Sequence, residues 1–246
     1  MNALLQQTLS PTRRACGSLN VRIMGEACVL RCSGALWLPE TGTLIAADLH
    51  LEKGSAYARR GQMLPPYDSR VTLAKLRAEV EDLRPRQVIL LGDSFHDRGS
   101  LARLAQADRL EIAALTASCD WIWLTGNHDH EALNGAADPD WPLPGRVVEA
   151  MDIGALTLVH EPEAGDRPGE VAGHLHPCAT VVAHNRGVRR ACFVTDGRRI
   201  ILPAFGAFTG GLDVRHAAFS GLFAEPPMLA ALGRDRVHAL AWNSVR

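Results

Sequence analysis

The sequence predicts an α/β fold built on a largely parallel sheet. Three observations carry this: short apolar runs that end in ionisable residues, amphipathic stretches between them, and a length suited to one core. At 246 residues the chain fits a single domain. Its 47% hydrophobic and 22% charged composition is that of a globular protein. No apolar run approaches the roughly 20 residues of a membrane helix, so no membrane association is expected.

From the N-terminus, residues 1–18 read as a flexible segment and residues 19–246 as the folded domain. Acids are absent before Glu26, but no apolar core or cleavage pattern makes a targeting peptide of this segment. Val21 to Leu38 reads as short strands joined at Gly25 and at Ser33-Gly34. Five apolar runs follow: LIAADLH (44–50), VILLGD (88–93), IWLTGNHD (122–129), LTLVHE (156–161) and VAGHLHP (171–177). Runs of this length bounded by glycine read as buried strands.

Between the first two runs, Val71, Leu76, Val80 and Leu83 recur at near-helical spacing. Asp68 or Ser69 is placed to cap that helix and Pro85 to stop it. Ser100 to Ser118 repeats the pattern with Leu101, Leu104, Ile112 and Leu115. Strands alternating with helices imply parallel neighbours, and ligands of such sheets gather beyond the carboxyl ends of the strands. The tail adds CFVTD and RRIILPAF, antiparallel around Asp196-Gly197, then the glycine-dense PAFGAFTGGLDV. That loop either approaches a phosphate through backbone N–H groups or simply packs tightly.

The net charge of -1 gives no global attraction to nucleic acid. The arginine pairs Arg13-Arg14, Arg59-Arg60, Arg189-Arg190 and Arg198-Arg199 are suited to tracking phosphates, although solvated surface charge is the commoner use. The six cysteines form no CxxC pair and no dense scaffold, so buried free thiols in a reducing cytoplasm are expected. Phe205, Phe208, Phe219 and Phe223 offer apolar surface for a homodimer or, as the plainer alternative, core packing.

The strand tips collect Asp48, His50, Asp93, Asn127, His128, His160, His174 and His176. A single DxH or HxH is more often surface or satisfied core than a ligand pair. Five such pieces in order, each at the end of a predicted strand, are a metal site by composition. In an extended segment residues i and i+2 face the same way, so Asp48 with His50, and His174 with His176, each aim two ligands into one cleft. Carboxylate, imidazole and amide donors without thiolate suit Mn, Fe or Zn. Seven protein ligands exceed what one ion takes, and two ions bridged by one carboxylate form a hydrolytic clamp for a phosphoryl group. Asp93, from a central strand, is the natural bridge.

The ordered set DLH, GDSFH, GNHD, VHE and GHLHP resembles the calcineurin-like metallophosphoesterase superfamily, over Asp48 to Pro177. That resemblance implies a four-layer α/β/β/α sandwich of two mixed sheets. It implies one metal held by Asp48, His50, Asp93 and His176, and a second held by Asp93, Asn127, His160 and His174. It also implies in-line attack on phosphorus by a metal-bridging hydroxide, with His128 stabilising the transition state or protonating the leaving oxygen.

A closer similarity is to the bacterial ligase-associated DNA damage response endonucleases, the PdeM group. It rests on AADLHLEKG (46–54), LLGDSFHD (90–97), LTGNHD (124–129), GHLHP (173–177) and LPAFGAFTGGLDV (202–214). It implies a manganese-dependent phosphodiesterase cutting single-stranded or flapped DNA in repair, with a DNA ligase and a helicase as functional partners. The alternative within the superfamily is a phosphatase or phosphodiesterase for a small nucleotide or a phosphoprotein; a non-catalytic scaffold is the alternative outside it.

The segment GDSFHDRG (92–99) bears on that choice. Calcineurin-type protein phosphatases carry GDxxDRG, whereas here His96 takes the place of the acid and Asp97-Arg98-Gly99 fall one residue late. The register resembles the GDxFH of double-strand-break repair nucleases, which implies that His96 orients His128 or touches the scissile phosphate. Asp97 and Arg98 are left with two readings: an ion pair opening the next helix, or an Arg98 contact to a DNA phosphate.

Overall fold

The computed structural model describes residues 11–62, 64–65, 67–129, 133, 141–183 and 186–245. The first sheet takes its strands in chain order: β1 (Thr12–Arg13), β2 (Leu19–Ile23), β3 (Glu26–Leu30), β4 (Leu36–Leu38), β5 (Thr43–Ala46), β6 (Gln87–Leu91), β7 (Asp120–Leu124) and β8 (Arg146–Val148). Neighbours are antiparallel up to β5. From β5 to β8 they are parallel, because each connection there is long enough to cross over. Residues 1–10 of the N-terminal segment lie outside the described residues, while Thr12 and Arg13 pair with Asn20 and Leu19.

The second sheet runs β15 (Leu212–Asp213), β12 (Pro177–Ala183), β13 (Arg186–Thr195), β14 (Ile200–Ile201), β11 (Glu170–Ala172), β10 (Leu156–Leu158), β9 (Met151–Ile153). A hairpin of β16 (Met228–Leu232) and β17 (Val237–Ala241) pairs with β13. The expected antiparallel pair around Asp196-Gly197 is present, with Val194 opposite Ile201.

Alternation along the strands sorts the core into layers. Val21, Ile45, Ile89 and Ile122 of the first sheet meet Leu158, Val171, Phe193 and Ile200 of the second between the two sheets. The opposite face of the first sheet, Leu44, Val88, Leu90 and Trp123, packs on the helices Asp68–Leu83 and Gln106–Thr116 through Leu73, Leu76, Val80, Ile112 and Leu115. Val71 is instead exposed, and Leu73 occupies the buried stripe. The outer face of the second sheet is covered, among the described residues, by 3-10 turns at Ala217–Phe219 and Trp242–Ser244 and by Leu222. The fourth layer is therefore thinner than the α layer the resemblance implied. No helix among the described residues is long and apolar enough to cross a membrane.

Two local expectations change. Asp68 and Ser69 do not cap their helix, whose N-cap is Tyr67 without a side-chain bond. Asp68 Oδ2 accepts from the Gly54 N–H at 3.0 Å, and Ser69 Oγ accepts from the Glu52 N–H at 2.8 Å. Both side chains thus hold the turn that follows the first ligand pair. The stretch from Ser100 breaks into helices Ser100–Arg103 and Gln106–Thr116, because Leu104 and Ala105 adopt extended ψ values of 127° and 147°.

The glycine-dense tail packs. Phe205 is fully buried, its N–H donating to Ala47, and the Gly206 N–H donates to the carbonyl of Asp48. Lys75 reaches from its helix to the Ser33 and Phe205 carbonyls at 3.0 and 2.5 Å, its ammonium 3.9 Å from the Phe205 ring centre. Phe219 is buried as well, whereas Phe208 is exposed. All six cysteines are free thiols, with Cys28, Cys178 and Cys192 buried.

Candidate metal centre

The ligand segments leave their strands in a conformation the sequence did not announce. Asp48 and His50 are not extended: each has positive φ, 55° and 46°, as do Asp93 at 47°, His174 at 64° and His176 at 46°. The i, i+2 convergence predicted for DLH and HLH is achieved by left-handed residues two apart, not by strand alternation. Non-glycine residues rarely adopt this region unless the surroundings enforce it, and such residues cluster at functional sites. Here the enforcement is a ladder beyond the strand ends. His50 N–H donates to Asp93 O and Leu51 N–H to Ser94 O, each at 2.9 Å, and His96 N–H returns to Leu51 O at 3.0 Å.

The side chains fall into two groups, each from both sheets. Ligand atoms of Asp48, His50 and His176 lie within 4.8 Å of one another, and so do those of Asp93, His160 and His174. Within the first group His176 Nε2 is 3.2 Å from Asp48 Oδ1 and 3.3 Å from His50 Nε2. Within the second, His160 Nε2 is 3.2 Å from His174 Nδ1 and 3.5 Å from Asp93 Oδ1. The Asn127 carboxamide joins the second group, 3.4 Å from His174 Nδ1. Asp93 faces both ways, its Oδ2 lying 3.9 Å from His50 Nε2 while Oδ1 faces His160.

This donor set fits divalent cations. Imidazole nitrogens facing one another at these distances need a cation or a proton between them. Burial, with the charges around His176, His128, His96 and Lys53 adding, pushes the His50 imidazolium down to about 2. His50 is therefore a neutral donor across the physiological range. His160 Nδ1 lies 2.9 Å from the Leu91 carbonyl, which can only accept. The proton must sit on Nδ1, which leaves Nε2 free to ligate.

Asp129 is a functional residue that motif spacing did not single out. Fully buried, it accepts from the backbone N–H groups of Ser94, Phe95 and Gly126 at 3.1, 3.0 and 3.2 Å. It thereby clasps the Asp93 loop to the Asn127 turn. Burial pushes its carboxyl up to about 6 against those three donors, with Asp93 raising it further. The nearest signal was its place directly after Asn127-His128.

His128 and His96 form a second pair beside Asp93. The His128 N–H donates to Asp93 Oδ1 at 2.9 Å, and its Nε2 lies 3.9 Å from Asp93 Oδ2. Its ring, half exposed, stacks on that of His96 with centroids 6.0 Å apart and planes 10° from parallel. His96 Nδ1 is buried without a hydrogen-bond partner. Asp97 resolves to the structural role: Oδ1 accepts from Gly99 N–H at 2.9 Å and from Arg103 at 2.8 Å. Its ion-pair partner is thus Arg103, six residues on at the end of the short helix Ser100–Arg103, and Arg98 lies exposed in the lining of a groove.

Two packed mixed sheets with paired carboxylate–imidazole groups at their joined edges define a metal-dependent phosphoester hydrolase. The profile of the calcineurin-like phosphoesterase family matches residues 43–197, and the chain belongs to that family. Among solved structures it is similar to nuclease MPE of Pseudomonas putida. The TM-score is 0.68 at 31% identity, over 91% of this chain and 100% of that one. A looser likeness is to Yfce, a phosphoesterase from E. coli, with a TM-score of 0.38 at 14% identity over 82% and 95% of the two chains. No curated protein sequence matches the chain.

Proposed function

We propose that the protein is a manganese-dependent dinuclear phosphodiesterase that cuts DNA, single-stranded or flapped, in repair. Asp48, His50, Asp93 and His176 hold one cation; Asp93, Asn127, His160 and His174 hold the other. Two cations so held supply an activated water and neutralise charge developing on the phosphoryl oxygens. The observation that carries the choice of nuclease is the His96–His128 pair stacked beside Asp93. His128, half exposed and hydrogen-bonded through its backbone to Asp93, is placed to protonate the departing sugar oxygen. His96 orients it by stacking.

A calcineurin-type protein phosphatase would set an acid three residues after the bridging carboxylate. Here that position is His96, and the acid one residue later is committed to Arg103. Exposure of Asn127 and His128 leaves the centre open to a chain rather than enclosed around a small molecule. The likeness to nuclease MPE over nearly the whole chain supports the same reading. Free cysteines throughout suit a reducing cytoplasm, and the family resemblance implies a ligase and a helicase as neighbours.

The test is cleavage of labelled single-stranded, duplex and flapped DNA by the Mn-loaded protein, beside Asp93→Ala. Cleavage of the single-stranded and flapped substrates, abolished in the variant, is the expected result. Rapid turnover of p-nitrophenyl phosphate with no cleavage of any DNA would overturn the nuclease reading in favour of a phosphatase.

A further inference from the structure

Beside the centre, on the side of His96, lies a groove of about 410 Å³ that the proposed reaction does not use. Arg59 and Arg60, which follow helix Lys53–Ala58, line it together with Arg98 and Arg103. Asp97 is the carboxylate lining it, and that charge is taken up by Arg103, which is further tied to Ser55 Oγ at 2.9 Å. Arg59 and Arg60 are exposed in its lining, with no carboxylate bonded to either among the described residues. The lining therefore carries an excess of guanidinium, the group whose fork matches phosphate oxygens.

The groove's lining residue Asp97 directly follows His96 in the chain. His96 stacks on His128 and has the Tyr57 ring 5.7 Å away. Tyr57 belongs to the same short helix that leads to Arg59 and Arg60. Lys53 sits 5.8 Å from the centre of the Tyr57 ring, and the charges of both Lys53 and Arg60 act on the His96 ring. From Asp93 outward the order is thus imidazole, imidazole, phenol ring, then guanidinium groups. Flat rings leading into a basic groove are what proteins use to track a single strand without reading its sequence.

We infer that the groove lined by Arg59 and Arg60 binds the phosphodiester backbone of the substrate strand next to the scissile phosphate, with Tyr57 as a stacking surface for a base between them. The inference rests on the nuclease reading and adds the direction in which the strand leaves the centre. The competing role for these arginines, solvated surface charge, predicts no dependence of cleavage on the length of the substrate.

The experiment compares wild type with Arg59→Ala/Arg60→Ala and with Tyr57→Leu on two substrates: a labelled single-stranded oligonucleotide and bis-p-nitrophenyl phosphate, which has no neighbouring phosphate. Oligonucleotide binding is also followed by fluorescence anisotropy in metal-free buffer. The double variant is expected to lower the ratio of oligonucleotide to small-diester kcat/KM at least tenfold, through KM. It should flatten the salt dependence of binding by roughly 0.7 in log–log slope for each phosphate that is no longer neutralised. Tyr57→Leu should lower the same ratio without changing the slope. If wild type cleaves DNA and the variants show the same ratio and slope, the groove is overturned while the nuclease stands. If wild type neither binds nor cleaves the oligonucleotide yet hydrolyses the small diester, the nuclease reading falls and takes the groove with it.

Discussion

Replacing Gly126 by alanine places one methyl group against the carboxylate on which both cation-binding groups converge. A Cβ at Gly126 would fall far inside contact distance of the Asp93 backbone nitrogen and Oδ1, and 3.0 Å from the carbonyl carbon of Gly92. Unbonded heavy atoms rest about 3.5–4.0 Å apart, so Asp93 and the Asn127 turn must separate by roughly 1 Å. Neither obstacle can swing away. One is backbone, and the other is a carboxylate pinned by the His128 N–H at 2.9 Å.

Overpacking of this kind costs about 1–3 kcal/mol, or roughly 2–12 °C in Tm for a chain of this size. The effect on function should be larger, because metal ligation tolerates only about 0.2 Å and a 1 Å misplacement at a reacting centre costs roughly 100-fold. The assay is hydrolysis of bis-p-nitrophenyl phosphate with Mn, with bound metal measured after gel filtration and folding checked by thermal unfolding. Gly210→Ala is the control, since a Cβ there meets nothing within 4 Å. A folded Gly126→Ala protein with wild-type metal content and rate would refute the convergence on Asp93.

Three further outcomes follow from the structure. Asp129→Ala strips the acceptor from three buried N–H groups and should cost about 3 kcal/mol or more in urea unfolding, whereas Asp129→Asn, which keeps one oxygen, should cost less. Stability should also fall in alkali: burial pushes the Cys28 thiol up to about 12 from an ordinary 9.0 and raises Cys178 and Cys192. Unfolded thiols release their protons near 9, the folded ones later, so above pH 9 the folded state binds more protons and loses stability as pH rises. Urea midpoints that stay level from pH 8.5 to 10.5 would contradict this. Iodoacetamide should label exposed Cys16 first, its thiol lowered by bonds to Ser18.

Much of this was legible because buried strands announce themselves by short apolar runs, and the residues following each run are what the strand ends present. Asp48, Asp93, His160, His174 and His176 were found that way, and all of them meet. What stayed hidden depends on partners distant in sequence. Asp68 and Ser69 carry a capping signature, but the Glu52–Gly54 turn, 14 to 17 residues away, recruits them instead. Asp97-Arg98 looks like a local pair until Arg103, six residues on, pairs with Asp97. The left-handed φ values were equally invisible, because Asp and His have no side-chain feature that demands them.

Those φ values explain why the centre requires the assembled sandwich. Each left-handed residue costs on the order of 1–2 kcal/mol, and an isolated DLH or HLH segment would relax toward the extended region. They are held by contacts between elements: His50 N–H to Asp93 O, Gly206 N–H to Asp48 O, and His174 N–H to Asp48 Oδ2 at 3.0 Å. The last joins the two sheets directly, since Asp48 follows β5 and His174 follows β11. Each cation-binding group likewise draws on both sheets, Asp48 and His50 meeting His176, and Asp93 meeting His160 and His174. A cation in either group therefore ties one sheet to the other, and its binding free energy adds to the stability of the interface that creates the site. The strain at the ligands and the packing between the sheets are in this way one cooperative unit: loosening the sheet–sheet core would relax the φ values and disperse the donors, even with every ligand residue intact.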